Sequence, residues 1–337
     1  MGKRQMQNYL ALTMAGFLAF VLLASIKLDT TRRDRGVGHA AAAARAGTTA
    51  KTVTKSLNEA NCVTPTLAGS VLFFNRVPKT GSEMLVLLVQ WLQTANGFRH
   101  VRLPGGNLRR LNRAKQADLV DEVMRRLQQE ALPLSFDRHV YFINFTSHGQ
   151  QSPTYLNLVR DPIQKLISSR AIPNPNNPDM KLAPKVQRRN QLIRDIEYCF
   201  SIKDPECTFE NGQFYDLTIP YFCGHNKWCM MLNDEWALMQ AKYNVEKYYP
   251  VVGVLEEMNA TLSVLENKIP LFFRGIKEMY FSQLSEPHFN KNKNRPANVS
   301  SGLQKQLEDK LKLEYEFYYW LKKRLLRQYA VYKNNAS

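Results

Sequence analysis

A length of 337 residues suits one α/β core of about 250 residues plus a targeting segment, and a chain of that size can bury a large interior. Lysine and arginine number 46 against 29 aspartates and glutamates, a formal charge of +17. That balance favours a polyanionic partner, whether nucleic acid, anionic lipid or sulfated glycan, and charge alone does not choose between them.

Tyr9 to Ile26 carries no charge and is just long enough to span a bilayer, so it reads as a transmembrane signal anchor, with a cleaved signal peptide as the rival. Lys3 and Arg4 precede it, whereas Lys27, Arg32, Arg33 and Arg35 follow, so the positive-inside count leans against a lumenal C-terminus. Residues 29–61 are rich in Ala, Thr, Arg and Gly, with almost no large apolar side chain, and cannot build a core.

Cysteines and glycosylation sequons decide the orientation. Asn144, Asn259, Asn298 and Asn335 each head an acceptor tripeptide. Four of the five cysteines fall as close pairs, Cys199 with Cys207 and Cys223 with Cys229, as two disulfide-closed loops in an oxidising compartment would have them. A four-cysteine zinc site is the alternative, although zinc ligand pairs sit closer together. Cys62 is left over. The expected organisation is a cytoplasmic tail (1–8), the anchor (9–26), a lumenal stem (27–66) and a folded domain (67–337), a single-pass type II arrangement.

The folded domain opens with Ser70 to Arg76 (SVLFFNR), which predicts a buried strand. Val77-Pro-Lys-Thr-Gly-Ser82 follows, and then Glu83 to Ala95 predicts a helix that is apolar on nearly every face. A strand, a glycine-containing turn and a helix make a P-loop-like phosphate cradle. The helix N-terminus offers unpaired N–H groups, Gly81 lets the backbone approach and Lys79 adds a point charge. The lack of G-x-x-x-x-G-K excludes a nucleoside triphosphatase loop.

His139 to Phe145 (HVYFINF) and Thr154 to Val159 predict two further strands. The second leads into Arg160-Asp161-Pro162, where Asp161 caps a helix and Pro162 takes its first position. Arg160 then stands at a strand's carboxyl end, where open α/β sheets bind ligands. Helices are predicted over Asp234–Tyr249, with Ala237, Ala241 and Val245 on one face, and over Met258–Lys268. Leu303, Leu307, Leu311, Tyr318, Leu321 and Leu325 mark one long amphipathic helix near the C-terminus. The fold class is α/β with a central, mainly parallel sheet.

In order along the chain, NRVPKTGS, RHVYFINF, YLNLVRDP, IPYFCGHNKWC, WALMQAKYNV, VVGVLEE and PLFFRGI resemble the heparan sulfate 2-O-sulfotransferases, the uronyl 2-O-sulfotransferases and the insect Pipe-type enzymes. The resemblance covers Val71 to Tyr332. It implies a Golgi-type enzyme that moves a sulfuryl group from phosphoadenosine phosphosulfate (PAPS) to a sugar hydroxyl, the 2-O position of a uronic acid in a glycosaminoglycan or glycoprotein glycan. It also implies a homotrimer, with neither a metal nor a nucleic-acid partner.

Residue roles follow from the same resemblance. Arg76, Lys79, Thr80, Gly81 and Ser82 would hold the 5′-phosphosulfate, with Lys79 stabilising charge on the bridging oxygen as the S–O bond breaks. Arg160 and Ser168 would grip the 3′-phosphate through a guanidinium fork and a hydroxyl. His139 would be the general base, taking the acceptor proton near neutral pH. Arg274 would meet the acceptor glycan. Lys185, Arg188, Arg189 and Arg194 join it on charge alone, a solvated basic face being their bland reading. His148 and His225 read as structural, His225 because it lies inside the Cys223–Cys229 loop.

Two departures stand out. Asp137 takes the place of a second histidine that heparan-type members carry, and Ser169 to Asp179 replaces a tyrosine-rich stretch beside the acceptor. Donor chemistry is complete while acceptor recognition is remodelled. An inactive glycan-binding relative would be expected to lose Lys79 or His139, and both are present. A kinase-like phosphotransferase would need a magnesium site and a Gly-Lys-Ser loop, neither of which is evident.

Overall fold

A computed structural model of the chain describes residues 67–105, 108–169, 196–284 and 299–336. The expected anchor and stem, Cys62, Asn298 and the segment carrying Lys185, Arg188, Arg189 and Arg194 lie outside the described residues. No helix among the described residues is long and apolar enough to cross a membrane.

Five strands form the sheet: β1 (Val71–Asn75), β2 (Arg99–Arg102), β3 (Leu134–Arg138), β4 (Thr154–Val159) and β5 (Val251–Val254). Their order is β2-β3-β1-β4-β5, and every ladder is parallel. All five carboxyl ends therefore open on one edge, the edge where such sheets bind ligands. Strand β1 is central and buried throughout, which is why its sequence is a continuous apolar run rather than an alternation.

The longer helices are α1 (Ser82–Ala95), α2 (Arg113–Gln129), α3 (Pro162–Ser169), α4 (Glu235–Tyr248), α5 (Met258–Lys268), α6 (Ser301–Lys310) and α7 (Lys312–Ala336). Their starts follow local chemistry. Asn112 and Asp234 each accept a backbone N–H three residues on, at 2.9 and 2.7 Å, and Asp161 accepts from Gln164 N at 2.9 Å. Ala237, Ala241 and Val245 are buried on one face of α4, as their spacing predicts.

Two expectations are corrected. The strand expected over HVYFINF lies immediately upstream, at Leu134–Arg138. Beyond His139 the backbone turns to loop partners: Tyr141 N donates to Arg109 O and Phe142 N to Tyr221 O, both at 3.1 Å. The single C-terminal helix is two helices that break at Leu311. There Asn233 Nδ2 donates to Lys310 O at 2.8 Å, while Asn233 Oδ1 accepts from Leu313 N at 3.1 Å. One side chain thus caps the end of α6 and the start of α7.

Both cysteine pairs are disulfides, with Cα separations of 6.0 Å for Cys199–Cys207 and 5.6 Å for Cys223–Cys229. Their sulfurs are bonded to each other, which removes the zinc alternative at these four positions.

Candidate active site

The loop from Val77 to Gly81 follows β1 and feeds directly into α1. Buried amides support it from below. Asn157 Oδ1 accepts from Val77 N at 3.2 Å, Asn157 Nδ2 donates to Asn75 O at 2.7 Å, and Tyr249 Oη donates to Asn75 Oδ1 at 2.9 Å. Thr80 is fully buried and its hydroxyl donates to Val77 O at 3.0 Å. Lys79 and Gly81 both have left-handed backbones, at φ 65° and 80°. The φ of 80° favours glycine at position 81, and a Cβ there would also have to displace Leu255 Cδ1, which it would meet at 2.8 Å.

The N–H groups of Lys79, Gly81 and Ser82 have no hydrogen-bond partner among the described residues, and the Lys79 side chain is exposed. Free donors at the start of a fourteen-residue helix, with a lysine beside them, make a cradle that fits a phosphosulfate.

His139 follows β3, whose last residue is in register with the last residue of β1, so the imidazole stands next to the loop's root. Its Nδ1 donates to Arg76 O at 3.0 Å, which leaves Nε2 as the acceptor, and Arg76 Nη2 donates to it at 3.0 Å. Burial lowers the His139 pKa below the ordinary imidazole value, and the Arg76 cation lowers it further. The ring is therefore held neutral with its basic nitrogen facing outward from the backbone.

Arg76 is buried and serves a charge cluster rather than facing solvent. Its Nη1 donates to Asp137 Oδ2 at 2.5 Å, and its Nη2 pairs with Glu83. Asp137 also accepts from His100 Nε2 at 2.9 Å and Arg102 Nε at 3.3 Å. Burial opposes ionisation of Asp137, but the hydrogen bonds from His100 and Arg76 outweigh it and hold the carboxyl down at about 2. Sequence reading placed Arg76 on the phosphosulfate and noted Asp137 only as a departure. It missed His100, Arg102 and Glu83, and the one signal available was charged and polar residues alternating through β2 (RHVR) and β3 (LSFDR).

Arg160 directly follows β4, the other neighbour of β1, and Ser168 lies buried about two turns into α3. Helix α3 is fixed from below: Lys165 Nζ donates to Thr218 Oγ1 at 3.5 Å, and burial pushes that lysine down to about 8. Glu314 of α7 accepts from Thr218 N and Ile219 N, each at 2.9 Å, and burial pushes its carboxyl up. Lys79, Thr80, Gly81, Ser82, His139 and Arg160 thus share one sheet edge.

Arg274 does not join them. Its carbonyl accepts from Asn96 Nδ2 at 3.0 Å, at the C-terminal end of α1, about 20 Å of helix away from the loop. Of the sequons, Asn259 is exposed with Nδ2 donating to Tyr329 Oη at 3.2 Å. Asn144 is half-buried and its Oδ1 accepts from the Thr146 hydroxyl at 2.6 Å, while Asn335 falls in the last turn of α7.

Comparison with known proteins gives the family. A Drosophila melanogaster protein named uronyl 2-sulfotransferase homolog pip is 36% identical over 290 residues, 77% of this chain and 53% of its own length. Human uronyl 2-sulfotransferase is 31% identical over 279 residues, 80% and 66% of the two chains. Heparan sulfate 2-O-sulfotransferase 1 of Xenopus laevis is 32% identical over 253 residues, 74% and 68%. The chain spans about half the length of the first relative and about two thirds of the other two. The Sulfotransferase family profile matches residues 68–320, and the chain belongs to that family.

Proposed function

We propose that the protein is a PAPS-dependent O-sulfotransferase acting on a sugar hydroxyl, the 2-O position of a uronic acid, in a glycosaminoglycan or glycoprotein glycan. The observation that carries this reading is the adjacency of two half-sites on neighbouring strand ends. One is a phosphate cradle with free N–H donors after β1; the other is a neutral imidazole after β3.

PAPS supplies an activated sulfuryl group whose S–O bond to the 5′-phosphate breaks as the acceptor oxygen bonds to sulfur. The chain's residues do the rest. The N–H groups at Lys79, Gly81 and Ser82 and the Lys79 ammonium stabilise the negative charge left on the bridging oxygen. His139 Nε2 accepts the acceptor's hydroxyl proton, the hydroxyl replacing the hydrogen bond that Arg76 now makes there. Arg160 and Ser168 hold the far phosphate of the donor. Asp137 and Glu83 fix Arg76, and Arg76 in turn positions the His139 ring through its carbonyl.

The two disulfides and the exposed Asn259 support a lumenal, N-glycosylated domain. With Tyr9–Ile26 as anchor, they support a single-pass type II protein of the Golgi membrane; a homotrimer is proposed on family likeness. The decisive experiment offers labelled PAPS with a panel of uronic-acid-containing glycans and glycoproteins. Label transferred to a uronic acid is the expected result. Tight binding of the desulfated donor with no transfer to any acceptor would instead make the protein an inactive glycan-binding relative.

A further inference from the structure

Between the carboxyl end of β2 and the start of α2 the chain runs along the same edge as His139. Arg138 Nη2 donates to Gly105 O at 3.1 Å, and Tyr141 N donates to Arg109 O at 3.1 Å, so the segment is tied to the residues flanking the candidate base. Beyond this tie lies a cleft of about 560 Å³. One wall is Arg110, Asn112, Arg113 and Gln116; the other is His225 and Asn226.

The walls are braced rather than loosely apposed. Leu111 N donates to His225 Nδ1 at 2.9 Å and Arg110 Nε donates to His225 O at 3.0 Å. His225 and Asn226 sit inside the loop closed by Cys223–Cys229, which fixes that side. Burial keeps His225 neutral, pushing it down to about 3, so it braces the wall without adding charge.

The cleft's charge is unopposed. Among the described residues no acidic side chain lines it, and neither Arg110 nor Arg113 has an ion-pair partner. Arg109, by contrast, is paired with Asp216. The hydrogen bond from Arg110 Nε orients that guanidinium and leaves its two terminal nitrogens for a ligand. Helix α2 begins at the cleft, adding the positive end of a seventeen-residue dipole.

We propose that this cleft is an acceptor subsite, in which Arg110 and Arg113 bind the carboxylate or sulfate of a sugar residue flanking the one that reacts. The assignment rests on the transferase reading and deepens it. It places acceptor selection in the β2–α2 segment and the Cys223–Cys229 loop, on the side of His139 away from Arg160. An acceptor chain laid across His139 would carry its next anionic groups into this cleft, where the oriented Arg110, the exposed Arg113 and the disulfide-closed wall discriminate among sulfation patterns.

The test measures binding of a size-defined heparin octasaccharide to the full chain, with and without saturating desulfated donor. Both arginines are exposed, so Arg110→Ala/Arg113→Ala should fold. The double variant should lose about tenfold in octasaccharide affinity, with a shallower salt dependence. Affinity for the desulfated donor should match wild type, and thermal stability should fall by no more than the loss of the one exposed Arg110–His225 hydrogen bond. A control, Arg125→Ala/Arg126→Ala at the far end of α2, should retain wild-type glycan affinity. Unchanged octasaccharide affinity in the cleft variant, or an equal loss in the control, overturns the proposal. So does an equal loss of affinity for a single-stranded DNA oligonucleotide. A wild-type chain that binds the octasaccharide through these arginines, yet binds no desulfated donor, would end the transferase reading and leave the subsite standing.

Discussion

His139 shows how far one side chain's chemistry is set by its neighbours. Its Nδ1 proton is committed to the Arg76 carbonyl, and burial beside the Arg76 guanidinium disfavours the imidazolium. A base whose pKa is lowered stays neutral to a lower pH, so the acid limb of kcat/KM should fall below the ordinary imidazole value of 6.5. His139→Ala should keep its fold and its affinity for the desulfated donor while turnover drops about 10²–10⁴-fold, the usual span of general-base catalysis. Turnover within about threefold of wild type would exclude His139 as the base. Arg160 makes the complementary case, because it follows β4, and the proposed reaction assigns it to the far phosphate of the donor. Arg160→Ala should weaken donor affinity more than it slows the chemical step, and equal donor affinity in variant and wild type would refute that placement.

Elements were legible in the sequence where their signals are local. Asp161-Pro162 and Asp234 mark helix starts by capping alone, and α5 falls at the predicted Met258–Lys268. Elements that depend on distant partners were not legible. Strand β3 reads as polar because Ser135 and Asp137 face His100 across the ladder, so the apolar HVYFINF run beside it drew the assignment instead. The break between α6 and α7 depends on Asn233, about eighty residues upstream, and no periodicity within the helix could reveal it. Asn233 is left-handed at φ 55°, a conformation that asparagine tolerates better than most residues. Asn233→Ala should therefore destabilise the fold by about 1–3 kcal/mol, through two lost caps and backbone strain. Asn233→Gly keeps the backbone conformation and should recover part of that loss in urea denaturation. Equal stability of all three proteins would show that the bridge contributes nothing.

On the scale of the whole molecule, the parallel sheet explains why the Val77–Gly81 loop, His139 and the proposed acceptor cleft share an edge, and charge explains what holds that edge together. The loop after β1 was readable because it is contiguous; the Asp137 cluster was not, since it brings Arg76 from just after β1 and His100 and Arg102 from β2 to a carboxylate in β3. In a chain of net charge +17, this buried carboxylate is the counter-ion to Arg76 and Arg102 and also takes a hydrogen bond from His100. Its folded pKa, about 2, lies below the ordinary 3.8, so its contribution to stability is fully present above about pH 4 and is lost as pH falls towards 2. The difference corresponds to about 2 kcal/mol, a substantial share of a typical domain's stability. Asp137→Asn should lower stability at neutral pH, because it leaves the buried Arg76 without its main partner, and should flatten the pH dependence between about pH 4 and 2. Urea midpoints measured across that range, with an unchanged m-value, check both effects. If the variant lost stability with falling pH as steeply as wild type, acid sensitivity would reside in other carboxylates, and Asp137 would be a structural acceptor without a titrating role in folding.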